Sequence, residues 1–378
     1  MIPYGRHSVG KDDVKAVVRV LLSDWLTQGL QVEKFEQLLA EYCGVKYAVV
    51  VSSGTTALHT AFVAAGIGEG DEFITTPMTF VATSNAGLYV DAKPVFVDID
   101  EKTGNIDAEK IEEKITDKTK AIVPVDYTGR PADLEKIKQI ADKHNLVVVE
   151  DACQALGAVY HGKKIGAISD LTVFSFHPVK SITTGEGGAI LTNNEEDYKK
   201  MKRFIKHGIS RENLDKNLGA WYFDMVDLGQ NYRLTDFACA LGISQLKKLD
   251  QFVQKRREIV KKYNNAFKAI AEVIIPLPDD EIFNSAWHLY VIRLRGVLAD
   301  KRSEIFDKLR AQNIGAQVHH IPVYMHSYYK KLGYAGDSFP NTQNWYNSII
   351  SLPLYAGLTR DDQEYIIGKI KSILDAYI

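Results

Sequence analysis

Three segments carry residues whose types and spacing can do chemistry. In LTVFSFHPVKSITTGEGGAILT (171–192) an apolar run delivers Ser175, a proline turn follows, then Lys180, then a loop with Glu186, Gly187 and Gly188. Most lysines are solvated surface residues. One held in a tight turn at the end of a buried strand loses water from its ammonium, so its pKa falls and the free amine becomes a nucleophile toward carbonyls. In LVVVEDACQALGA (146–158) two acids, Glu150 and Asp151, close an apolar strand. The C-terminal ends of strands are where ligands bind in open α/β sheets. A carboxylate there is costly unless it meets a cation or several donors; an exposed strand-end acid is the plainer alternative. In VVVSSGTTALHTA (49–61) an apolar strand runs through a Ser/Gly/Thr turn into a helix. Free backbone N–H groups and the positive helix end converge there, which suits a phosphate. Gly54 permits close approach, and Thr55 and Thr56 add hydroxyls, although Ser and Thr also favour this place as ordinary helix caps.

Taken together, the three segments meet the needs of pyridoxal 5'-phosphate: a lysine for its aldehyde, an acid for its ring nitrogen and a cradle for its phosphate. The spacing from Asp151 to Lys180 lets both come from neighbouring strands. No His/Asp/Glu cluster has ligand spacing, so no metal is expected.

These groups need a scaffold to position them. Short apolar runs at 47–51, 73–75, 95–97, 121–125, 146–149, 171–174 and 189–191 alternate with helical stretches such as 107–115 and 133–144. Runs apolar at successive positions read as strands buried on both faces, and helices between them imply a largely parallel sheet. Ahead of the sheet, Val14, Val17, Val18, Leu21 and Leu22 mark a helix, and Val32, Phe35, Leu38 and Tyr42 a second with those residues inward. Beyond Leu241 the pattern reads as a long helix over 241–271, an alternating strand at His288–Leu294, a helix at 300–312, a short strand near Val318 and a helix at 361–377. The expected organisation is an N-terminal pair of helices with a large α/β domain, 1–245, and a small α+β domain, 246–378.

The chain of 378 residues is 46% hydrophobic and 25% charged, ordinary globular values that exclude a disordered or low-complexity protein. Lys+Arg 46 against Asp+Glu 48 gives a net charge of -2, which argues against nucleic-acid binding through a broad basic surface. No apolar run approaches the ~18 residues of a membrane-spanning helix. Cys43, Cys153 and Cys239 lie far apart with no C-x-x-C pair, which reads as reduced thiols of a cytoplasmic protein.

The motifs SDWLTQG (23–29), SSGTTAL (52–58), TTPMTFVATSNA (75–86), VVVEDACQALGA (147–158), FSFHPVKSITTGEGGA (174–189) and GQNYRLTDFACALG (229–242) run nearly end to end. On them the chain resembles the DegT/DnrJ/EryC1/StrS family of nucleotide-sugar aminotransferases. The resemblance implies the aspartate aminotransferase-like fold (fold type I) with pyridoxal 5'-phosphate as cofactor. It implies that Lys180 binds the cofactor covalently and moves the proton, and that Asp151 pairs with the ring nitrogen. Gln154 then lies near the ring hydroxyl, Gly54, Thr55 and Ser175 hold the phosphate, and Phe80 stacks on the ring. Asn231 reaches the phosphate of the partner subunit, so a homodimer with shared sites is expected. Family dehydratases carry His where this chain has Lys180, which favours transamination. WLTQG, VPVDYTG (123–129), WHLY (287–290) and AQVHHIPVY (316–324) resemble the branch of pseudaminic acid biosynthesis. That branch implies L-glutamate as donor and C4 of a UDP-linked 4-keto-6-deoxy-N-acetyl hexose as acceptor. A dTDP-sugar or 3-keto aminotransferase and a catalytically idle sugar sensor are the rivals. Trp25, Thr27, Arg233 and His319 are the candidate sugar contacts; for Trp25, Arg233 and His319 a structural role stays open.

Overall fold

The computed structural model describes residues 1–211, 218–219, 221–336 and 338–378. Nine strands precede residue 193: β1 (Tyr47–Val51), β2 (Glu72–Thr75), β3 (Lys93–Phe96), β4 (Thr119–Val123), β5 (Val147–Asp151), β6 (Val159–Tyr160), β7 (Lys163–Lys164), β8 (Leu171–Ser175) and β9 (Gly188–Thr192). Seven of them form one sheet in the order β1-β9-β8-β5-β4-β2-β3. Every pairing in it is parallel except those of β9, which runs antiparallel to β1 and to β8. β6 and β7 form a separate hairpin. The sheet is the mostly parallel one that the alternating runs predict.

Both faces of the sheet are covered, which is why its strands are apolar at successive positions. Val50, Ile122, Val148 and Phe174 pack with Phe35, Leu39 and Ile243 on one side. Their neighbours Val49, Ala121, Val149 and Val173 pack with Leu58, Phe62 and Met201 on the other. The helices of this part are α1 (Lys11–Leu21), which lies on α7 rather than on the sheet, α2 (Leu30–Cys43), α3 (Gly54–Ala64), α4 (Ala82–Leu88), α5 (Leu134–His144), α6 (Glu195–Phe204), α7 (Asp236–Leu246) and α8 (Leu249–Phe267). Their ends follow the local chemistry. Ser53 caps α3 by accepting from Thr56 N–H (3.1 Å), and Thr56 Oγ1 accepts from Ser53 N–H (3.0 Å), a reciprocal capping box. Gly44, at φ 76, ends α2 in the left-handed region.

The C-terminal part has a three-stranded antiparallel sheet of Val273–Ile274, Tyr290–Leu294 and Ile349–Leu352, with helices Arg302–Ala311 and Arg360–Asp375. Its core is Tyr263, Phe267, Tyr290, Ile292, Leu309, Ile350, Ile366 and Ile370. α8 serves both cores, giving Leu249, Phe252 and Val253 to the first and Ile259, Tyr263 and Phe267 to the second. We propose 1–245 and 246–378 as the two domains, joined along α8. Ile2 bridges Ile314, and Leu354 N–H donates to the Tyr4 carbonyl (2.9 Å), so residues 2–4 lie on the C-terminal part.

Three local expectations differ from the structure, and α1 turns outward a face whose direction the sequence left open. The stretch 107–115 forms two single-turn 3₁₀ helices, Ala108–Lys110 and Glu112–Lys114. The helix over 241–271 is broken at Lys247–Lys248, where the chain turns although no Gly or Pro marks it. Near Val318 there is only a bridge from Gln317 to Ser351, and the third strand of the small sheet is Ile349–Leu352. On α1, Val14, Val18 and Leu21, followed by Leu22, face solvent, while Asp13 and Val20 are buried. Among the described residues no helix is long and apolar enough to cross a membrane.

Candidate active site

The functional side chains converge because strand ends and one helix start meet at a single edge of the sheet. Asp151 closes β5, its N–H donating to the Pro124 carbonyl (2.9 Å). Its carboxylate is buried and doubly held: Oδ2 accepts from the Thr83 hydroxyl (2.6 Å) and Oδ1 from Cys153 N–H (3.2 Å). Thr83 sits on α4 with the Thr79 hydroxyl 2.8 Å away. Such donors are what a buried carboxylate needs in place of water.

Ser175 closes the neighbouring strand β8, and Gly54 opens α3 against it. A Cβ on Gly54 would fall 2.8 Å from Ser175 Cβ, 3.1 Å from its Oγ and 3.3 Å from Cys153 Sγ. Gly188 is equally constrained, since a Cβ there would lie 2.5 Å from the Ser53 carbonyl oxygen. The two glycines seat the positive end of α3 directly on the strand ends.

Lys180 follows in a turn closed by its own N–H donating to the His177 carbonyl (2.9 Å). Burial of its ammonium lowers its pKa, and the nearby Cys153 and Asp151 only partly oppose this. Burial pushes the Cys153 thiol well above its usual range, so it stays protonated. Gln154 Oε1 accepts from Thr128 N–H (2.8 Å), which fixes the amide at the wall.

Three histidines face these groups. His319 Nδ1 lies 2.9 Å from the Ser351 hydroxyl, and burial pushes its pKa down to about 4. Burial likewise holds His288 and His320 neutral, and His288 Nδ1 and His320 Nε2 are buried without a partner. Phe80 stands at the rim, 58% exposed, its ring 5.9 Å from that of His320.

Gly54, Thr55, Phe80, Asp151, Gln154, Ser175, Lys180 and His319 thus line one cleft of about 420 Å³. Trp25, Thr27 and Asn231 are exposed and outside it. Arg233 lines a separate groove with Glu36, Lys202 and Lys206. Thr83, Cys153, His288 and Tyr4 also line the cleft and are not singled out by sequence reasoning. Thr83, Cys153 and His288 fall within TTPMTFVATSNA, VVVEDACQALGA and WHLY, so their segments carried a signal although the residues themselves were not picked out; Tyr4 carried none.

The site fits pyridoxal 5'-phosphate on its own geometry: a helix start with no side chain in the way, a carboxylate held by two donors, and a buried lysine of lowered basicity. The sequence matches the model of the DegT/DnrJ/EryC1/StrS aminotransferase family over residues 7–371. The chain belongs to this family. It is 41% identical over 379 residues to the UDP-4-amino-4,6-dideoxy-N-acetyl-β-L-altrosamine transaminase of Campylobacter jejuni, covering 99% of this chain and 98% of that one. It is also 41% identical to the spore coat polysaccharide biosynthesis protein SpsC of Bacillus subtilis, with 99% and 97% covered. Among solved structures it superposes on Helicobacter pylori PseC, an aminotransferase of pseudaminic acid biosynthesis, with a TM-score of 0.93, 36% identity and all of both chains covered. A Streptococcus pneumoniae sugar aminotransferase solved in its pyridoxal phosphate form gives a TM-score of 0.93 at 30% identity, covering 100% and 99%. The fold is therefore that of fold type I, and the aminotransferase uses pyridoxal 5'-phosphate.

Proposed function

We propose that this aminotransferase moves an amino group from L-glutamate to C4 of a UDP-linked 4-keto-6-deoxy-N-acetyl hexose, as in pseudaminic acid biosynthesis. The observation that carries the reading is the full-length match to the C. jejuni transaminase, on a chain whose Lys180, Asp151 and Ser175 share one cleft. Gly54, Thr55 and Ser175 would hold the cofactor phosphate, Asp151 would keep the ring nitrogen protonated, Gln154 would serve the ring hydroxyl and Phe80 would cover the ring. When bound, the cofactor carries the amino group between the two substrates and spreads carbanion charge into its ring. Lys180 Nζ, its basicity lowered by burial, takes a proton from the α-carbon of glutamate and in the second half delivers one to C4 of the sugar. The neutral histidines opposite it accept and donate hydrogen bonds without adding charge beside the amine.

The working unit of this reading is a homodimer. The outward face of α1, with Val14, Val18, Leu21 and Leu22, is apolar and exposed, and so are Trp25, Leu26 and Leu30 after it. Asp236 N–H donates to the Leu26 carbonyl, which puts the 231–237 segment beside that face. An apolar stripe of this kind suits a second copy. Docking there would bring Asn231, Arg233, Trp25 and Thr27 to the partner's cleft. The test of substrate is incubation with L-glutamate and a panel of UDP- and dTDP-linked 3-keto and 4-keto sugars, with products identified by NMR. Amination at C4 of the UDP-linked sugar is expected; selective amination of a dTDP-linked or 3-keto sugar overturns the reading.

A further inference from the structure

Two buried acids take no part in this mechanism. Glu150 precedes Asp151 on β5, so its side chain leaves the opposite face of the sheet. Asp126 follows β4, and its N–H donates to the Asp151 carbonyl (3.1 Å). Both side chains are fully buried. Glu150 Oε2 accepts from the Thr172 hydroxyl (3.0 Å), and Asp126 Oδ1 from Ala132 N–H (2.9 Å). The other oxygens, Asp126 Oδ2 and Glu150 Oε1, are buried with no donor. The two carboxyls nevertheless lie within hydrogen-bonding reach of each other. The Ser169 hydroxyl stands near Glu150 as a weak further donor, short of a full hydrogen bond. The titratable groups that bear on the pair are Asp151 and the thiols of Cys43 and Cys153; Lys164 faces Cys43.

Two acceptors in contact, each lacking a hydrogen, leave both oxygens unsatisfied, and two buried like charges at contact cannot both persist. One proton between them removes both problems. Among the described residues no group of three or more His, Cys, Asp or Glu is placed to hold a metal ion. We propose that Asp126 and Glu150 share a single proton and act together as a positioning unit behind Asp151, one bridge and one negative charge.

The bridge ties the turn after β4 to β5. That turn carries Thr128, whose N–H holds Gln154 and whose carbonyl accepts from His288 N–H (2.8 Å) and Leu289 N–H (3.2 Å). The pair therefore sets where Asp151, Gln154 and His288 stand. Its charge lies on the far side of Asp151 from the cleft and favours a proton on whatever Asp151 faces. Burial pushes both carboxyls above the usual carboxylate range; the charge of Glu150 adds to this for Asp126, whereas for Glu150 the hydrogen bond from Asp126 opposes it and Asp151 adds repulsion. The sign for stability follows. The contribution linked to this proton is complete below the unfolded carboxyl pKa and declines as pH rises toward the folded one.

The test uses the full-length chain loaded with cofactor, without glutamate or sugar, so its outcome is independent of the substrate reading. The infrared spectrum at neutral pH should show the carbonyl band of a protonated carboxylic acid. Asp126→Asn and Glu150→Gln each replace the shared proton by an amide N–H at the same net charge, so each should lose the band, fold, and lose the one-proton decline of stability with rising pH. The double variant D126N/E150Q also removes the charge. It should lower the pH midpoint of the cofactor's visible band by on the order of one unit, while the single variants leave it in place. No acid band in the wild type, or a band that survives in both single variants, overturns the shared proton. A midpoint that moves as far in a single variant as in the double overturns the charge role.

Discussion

Thr83 offers the sharpest test of the cleft, because its hydroxyl, 2.8 Å from that of Thr79, is one of the two donors to the Asp151 carboxylate. Its hydroxyl donates to Asp151 Oδ2 at 2.6 Å in a buried setting. Thr83→Val keeps the shape and removes the donor, leaving the carboxylate with Cys153 N–H at 3.2 Å. A hydrogen bond to a charged group is worth about 1.5–3 kcal/mol, and a buried acceptor left short of a donor loses an amount of that order. The full-length chain should lose about 2 kcal/mol of stability to denaturant. If Asp151 partners the ring nitrogen, the rate at which glutamate bleaches the cofactor band should also fall about 10- to 100-fold, equivalent to about 1.4–2.7 kcal/mol. Stopped-flow absorbance with glutamate alone reads that step. Thr83→Ser should recover most of both losses. Ser84→Ala, a buried hydroxyl deletion one position along α4, should leave the rate near wild type. A Thr83→Val enzyme that matches Ser84→Ala in rate and stability would refute the reasoning.

Lys180→Ala should fold normally, hold no cofactor covalently by mass spectrometry after borohydride reduction, and turn over nothing; more than a few per cent of the wild-type rate removes Lys180 from its role. Asp151→Asn cannot keep the ring nitrogen protonated and should slow transamination on the order of 100-fold, about 3 kcal/mol, with near-normal turnover at full cofactor occupancy as the contrary result. Gly54→Ala places a methyl against Ser175, and overpacking of about 1–3 kcal/mol should weaken cofactor binding roughly 5- to 150-fold by equilibrium titration; unchanged affinity would place the phosphate elsewhere. Mixing inactive Lys180→Ala chains with inactive Asn231→Trp chains should restore activity in mixed dimers, and a dead mixture with mixed dimers shown by mass spectrometry counts against shared sites.

The legible parts of the site are those written in contiguous residues. A strand end, a glycine and a capping pair fall within a dozen positions, so Ser53–Thr56, Glu150–Asp151 and Ser175–Lys180 could be read directly. Groups that meet only through the tertiary fold were not legible. His288 reaches the cleft because Ala286 and His288 bind the Thr128–Gly129 turn, a contact across more than 150 residues. The break between α7 and α8 has no breaker residue; Lys248 instead turns to pair with the buried Asp13 of α1. In 107–115 a helical pattern of Ala108, Ile111 and Ile115 was real, but the chain winds it as two separate 3₁₀ turns with Ile111 buried between them. The apolar face of α1 was visible as a stripe. Sequence periodicity reports that a face is apolar, not whether its cover comes from the same chain.

The placement of residues 2–4 has a consequence for how the protein is made. Ile2 bridges Ile314, Tyr4 accepts from Leu354, and the Tyr4 ring lies 5.0 Å from that of His319 at the cleft wall. A ribosome adding about 5–20 residues per second emits those first residues roughly fifteen to sixty seconds before their partners. The large sheet has all its strands by Thr192 and can form during synthesis, but its ligand cleft lacks one wall until the last strand of the small sheet has emerged. Cofactor capture should therefore lag behind folding of the sheet, as one of the final events after translation rather than a template for it.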